Sequence, residues 1–80
     1  METKLQSKRS EVLSQLIHSS QIVVDHSGDL TISEVLKFNN QISLLKWMAQ
    51  TSKTYQQILL VEESLGYLDE QLTRCVLAAG

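Results

Sequence analysis

From Leu44 onward, apolar or small residues return in alternating steps of three and four: Leu44, Trp47, Thr51, Thr54, Ile58, Val61, Leu65, Leu68, Leu72, Cys75 and Ala79. A strand would show a period of two, whereas strict 3-4 alternation keeps one edge of a helix turned toward a neighbour, as in a coiled coil. No proline breaks it, and Gly66 is the only glycine between Ile32 and Leu77. The seam is weakest at Thr51 and Thr54, where polar side chains occupy its contact positions. Gln50-Thr51-Ser52-Lys53-Thr54 can equally form a turn whose Ser or Thr caps a new helix.

The start of this helical half is written at Leu30-Thr31-Ile32-Ser33-Glu34-Val35. Thr31 is placed to accept from the amide of Glu34, and the Glu34 carboxylate to accept from the amide of Thr31, which makes a capping box. Leu30 and Val35 form the hydrophobic staple around it. Gly28 lies just upstream and suits the termination of a preceding helix. That first helix spans about residues 3 to 25, with Val12, Leu13, Leu16 and Ile17 on one face, and the β-branched run Ile22-Val23-Val24 is its last turn. Lys4, Lys8 and Arg9 stand near its N-terminus, where the helix dipole disfavours cations, so this end is expected to fray unless something acidic approaches it.

These patterns predict one all-α domain over residues 1-80. The preferred architecture is an antiparallel helical hairpin with a long, possibly bent second helix (about 3-25 and 32-77), and the alternative is a three-helix bundle broken near 50-54. Val35, Phe38, Ile42, Leu45 and Ala49 form the stripe expected against the first helix. In a hairpin that helix reaches only half of its partner and leaves Ile58 to Leu77 uncovered, which marks an interaction site. The predicted protein interface is therefore Leu44, Trp47, Ile58, Val61, Leu65, Leu68 and Leu72. A domain this small buries only about 60% of its unfolded surface, so completion of the core by a protein partner or by self-association through the second helix is expected.

Composition narrows the function classes. Seven basic against nine acidic residues give a net charge of −2, a poor footprint for nucleic acid, and no nucleic acid is expected as a partner. Lys37, Lys46 and Lys53 are the only charges between Val35 and Val61, and Glu62, Glu63, Asp69 and Glu70 follow closely. Staggered pairing of those two groups between copies would make a homo- or hetero-oligomer. Cys75 is the only cysteine, so neither a disulfide within the chain nor a cysteine-rich metal site can form. Residues 25 to 34 partly match a calcium loop around Gly28, but Val23 occupies the position of the first aspartate, and a capped turn explains the same residues. His18 and His26 lack ligand spacing. No elbow or glycine-rich loop would hold a nucleophile or nucleotide, so neither enzyme activity nor any cofactor is expected. With no signal-like start and no apolar run long enough for a membrane span, a cytoplasmic location is expected, with signal-less export by a specialised system as an addition.

At Ser33-Glu34-Val35-Leu36-Lys37-Phe38-Asn39-Asn40-Gln41-Ile42-Ser43 the chain resembles the small needle and inner-rod subunits of bacterial type III secretion systems. The helical hairpin and the length of 80 are also similar to the co-chaperones that hold needle subunits. The resemblance implies an assembly subunit or small chaperone-like adaptor, and no catalytic residues. The functional expectation is thus a non-enzymatic protein-protein interaction or assembly protein. The rival readings are a helical nucleic-acid-binding regulator and a degenerate EF-hand-like calcium module.

Overall fold

The computed structural model describes residues 3–79 and consists of three α-helices: α1 (Lys4–Asp25), α2 (Ile32–Thr51) and α3 (Tyr55–Ala79). Each helix packs against both others. The second half is therefore not one helix over 32-77, because α2 ends at Thr51 and the chain reverses through Ser52, Lys53 and Thr54. The molecule measures 44 × 16 × 16 Å, whereas a continuous helix over 32-77 alone would extend about 70 Å at 1.5 Å per residue.

Local chemistry fixes all three starts. Thr31 accepts from the Glu34 amide at 3.1 Å and its own amide donates to the Glu34 carboxylate at 2.9 Å, so the expected capping box is present. Thr3 accepts from the Gln6 amide at 3.1 Å. Thr54 accepts from the Gln57 amide at 3.2 Å, while the Gln57 side chain accepts from the Lys53 amide at 2.7 Å. One pattern, Thr followed three residues later by Gln or Glu, opens every helix. Each such cap satisfies backbone donors that the first turn leaves without intrahelical partners.

The ends are held differently. α1 closes through its own backbone, with the His26 amide on the Ile22 carbonyl at 3.0 Å. Gly28, expected to terminate it, lies beyond this cap, and among the described residues no glycine has a positive φ. α2 stops at Ser52, whose ψ of 131° is extended. The Ser52 hydroxyl donates to the Met48 carbonyl at 2.7 Å. From α1, Arg9 donates through Nε to the Ala49 carbonyl at 3.0 Å and through Nη2 to the Ser52 carbonyl. A guanidinium at a helix C-terminus meets orphan carbonyls and the negative end of the dipole together.

With α3 folded back, one core runs the length of the bundle. Val12, Leu16 and Val23 of α1, Phe38, Ile42, Leu45 and Ala49 of α2, and Ile58, Val61, Leu65, Leu68 and Leu72 of α3 are all buried, with Leu30 sealing the α1–α2 end. The acidic neighbour that α1 needs is Glu62 of α3, 2.8 Å from Lys8 Nζ.

Because Arg9 serves two carbonyls 40 and 43 residues away in sequence, Arg9→Ala should lower the unfolding free energy by about 1–3 kcal/mol. Arg9→Lys, which keeps the charge and loses the fork, should fall between. Urea unfolding followed by helicity checks both.

Candidate functional site: the α2–α3 face

The predicted interface residues separate into two groups. Ile58, Val61, Leu65, Leu68 and Leu72 are 0 to 4% exposed, and they meet α1 and α2 of their own chain. Their expected role as an open stripe is corrected by the turn at 52 to 54, which lays that stripe into the bundle. They cannot meet a partner without the bundle opening. Leu44 and Trp47 are on the surface, 56% and 62% exposed. Trp47 follows the buried Phe38 by nine residues, which is two and a half helical turns, so it points away from the core.

Two of the surface grooves lie between α2 and α3. One, of about 220 Å³, is lined by Gln41, Leu44 and Leu45 with Ser64, Tyr67, Leu68 and Gln71. The other, of about 270 Å³, is lined by Met48, Thr51 and Ser52 with Gln57, Leu60 and Val61. Their rims continue one another. On α2 the rim is Lys37, Gln41, Leu44, Met48 and Thr51, and on α3 it is Gln57, Leu60, Ser64, Tyr67, Gln71 and Arg74. Both advance by alternating threes and fours. Leu60 and Tyr67 are each 62% exposed, so with Leu44 and half-buried Met48 they form an apolar centre. Sequence reading missed Leu60 and Tyr67, because the α3 rim mixes Gln and Ser with them and stands out only once α2 lies beside it. The signal was the regular spacing of Gln57, Leu60, Ser64, Tyr67 and Gln71.

Charge is distributed unevenly around the bundle. Between α1 and α3, Lys8 pairs with Glu62, and Ser19, itself buried, donates to Asp69 at 2.5 Å. Glu70 pairs with Arg74 at 2.6 Å within α3. Three of the four acids expected to meet a second copy thus have partners inside the chain. Among the described residues no ion pair joins α2 to α3, and Lys37, Lys46 and Lys53 enter none. Lys46 follows Lys37 by nine residues and lies on the opposite side of α2, in the α1–α2 groove with Ile17 and Ile42. The three lysines do not share a face.

At the end of this face, where α2 begins and α3 finishes, Glu34 meets Cys75. The Thr31 amide foremost, then the Cys75 thiol and the Thr31 side chain, hold the Glu34 carboxyl below its ordinary value of 4.5. The same carboxylate pushes the Cys75 thiol up, which disfavours the reactive thiolate. The other residues of the loop have local partners, Asp29 facing His26 at 3.5 Å and Asp25 accepting from Gln21 at 2.8 Å. Among the described residues no cluster of three or more His, Cys, Asp or Glu side chains is placed to hold a metal ion, and no helix is long and apolar enough to cross a membrane.

A depressed carboxyl pKa means the folded state favours the ionised form. Its contribution is fully present above pH 4.5 and is lost as pH falls through the lower folded value. Glu34→Gln, which keeps the shape of the cap, should therefore be less stable than wild type at neutral pH. The gap should close under acid, as read by thermal melts from pH 7 to pH 3.

No family model, no curated protein and no solved structure matches this chain.

Proposed function

We propose that this chain is a non-enzymatic interaction module that binds protein through the α2–α3 face. One observation carries the reading: the exposed rim between α2 and α3 collects Leu44, Met48, Leu60 and Tyr67 and contains no acidic residue. Depletion of charge with enrichment of aromatic residues and methionine distinguishes the centre of a protein interface from ordinary surface, where Lys and Glu dominate. Trp47 flanks the same patch as a candidate anchor.

Stability argues in the same direction. The core of the bundle is filled by its own three helices, so the α2–α3 face is not needed to complete the fold and is available for a partner. The stretch that resembles secretion-system subunits, Ser33 to Ser43, forms the first half of α2 and carries part of this rim. In that setting the module would act as a small chaperone-like adaptor in the cytoplasm.

Leu60 is exposed, so Leu60→Asp should leave the fold within about 0.5 kcal/mol of wild type. The immobilised wild-type chain, exposed to lysate of its source cells, should retain a protein that the immobilised L60D chain does not, and the pair should re-form from purified components. Identical retention by both chains would remove the α2–α3 face as the binding surface.

A further inference from the structure

We infer that the α2–α3 groove receives a fourth helix: an amphipathic segment with an apolar 3-4 seam and acidic residues toward its ends. This inference rests on the interaction reading above and specifies the partner's chemistry.

The shape of the groove comes first. Two antiparallel helices whose facing rims both advance by threes and fours present the ridges and grooves that a further helix of the same period fills, as in a four-helix bundle. An extended peptide adds to a sheet edge, and this molecule offers none among the described residues. The rim from Lys37 to Thr51 is about 21 Å long at 1.5 Å per residue, so an occupant of four turns or more fits.

Charge complementarity selects the occupant. Neither rim holds an acid. Lys37 stands at one end without an ion-pair partner, and Lys53, equally unpaired among the described residues, stands beside the other end in the turn. Arg74 adds to the Lys37 end, although Glu70 offsets it. Glu34, at that same end and one turn before Lys37, is held by the Thr31 cap. Glu70 is paired with Arg74 and Glu34 with its own cap, so Lys37 and Lys53 are the charges without an ion-pair partner that an incoming helix meets, and Asp or Glu suits both positions better than Lys or Arg.

The centre supplies a polar requirement. Gln41 lines the groove, and its Oε1 is buried without a hydrogen-bond partner, the one such side-chain atom among the described residues. A buried carbonyl oxygen left unpaired is costly, so a donor on the incoming helix opposite Gln41, such as a Ser, Thr or Gln side chain, gains more than an apolar residue there. A second copy of this chain is a poorer occupant through the same face. Antiparallel copies would set the Lys37 end of one against the Lys53 end of the other, cation against cation.

The test is a displayed library of 21-residue helical sequences with a fixed Leu/Ile seam and randomised flanks, selected on the wild-type chain with counter-selection on L60D. Enriched members should carry Asp or Glu near both ends. They should bind wild type at least tenfold more tightly than L60D or Gln41→Leu, and K37E/K53E should reverse the preference toward Lys-flanked sequences. Enrichment without acidic flanks, or no sequence that prefers wild type to L60D, would overturn the inference. A lysate protein that depends on Leu60 alongside such a failure would leave the interaction reading in place and remove only the acidic helix as its partner. Concentration-dependent dimerisation of the wild-type chain, abolished by L60D, would instead make the occupant a second copy.

Discussion

The Arg9 side chain ties α1 to the point where the chain reverses between α2 and α3. Its guanidinium, on α1, bonds the carbonyls of Ala49 and Ser52, the end of α2 and the first residue after it. A helix end leaves such carbonyls without intrahelical partners, and Arg9 supplies donors for two of them. Continuation of the helix would carry Ile58, Val61, Leu65, Leu68 and Leu72 away from α1 and leave them bare. With Arg9 in place the chain turns, Thr54 caps α3, and five apolar residues enter the core instead of solvent.

That single reversal also sorts the surface. By bringing α3 between α1 and α2, it places Glu62 beside Lys8 and Asp69 beside Ser19, so the one ion pair between helices among the described residues lies where α1 meets α3. The side where α2 meets α3 is left with Gln, Ser, Leu, Met and Tyr. One seam thus pairs charges across helices, and the other, whose rims hold no acidic residue, is the face proposed to bind a partner. That difference between the two seams is what supports the proposed interaction role.

Much of this was legible in the residues. The capping box at Thr31 and Glu34, the stripe from Phe38 to Ala49 and the need of Lys8 for an acidic neighbour all follow from local rules, and the structure contains each. The reversal at 52 to 54 was legible only as an alternative. Thr54-Tyr55-Gln56-Gln57 carries the same start signal as Thr31 to Glu34, but a start signal inside a continuous 3-4 seam does not by itself end the helix before it. At its end the Ser52 hydroxyl donates to the Met48 carbonyl, and Arg9, 40 residues upstream of Ala49, donates to the carbonyls of Ala49 and Ser52, a partner that local sequence does not reveal. The α2–α3 rim was hidden for the related reason that a rim between two helices has no sequence signature until their register is known. The seam that begins at Leu44 was real in its period and misleading in its continuity: its first four members, Leu44, Trp47, Thr51 and Thr54, are exposed, and Ile58, Val61, Leu65, Leu68 and Leu72 face the core.

The distance between Asn40 and Glu70 tests the reversal most directly. With spin labels at these two exposed positions, on a Cys75→Ser background, pulsed dipolar spectroscopy on a dilute sample should give a single separation near 20 Å, since α2 and α3 lie side by side. A separation near 45 Å, the length of about 30 helical residues, would mean that α2 and α3 are one rod and that Arg9 does not turn the chain.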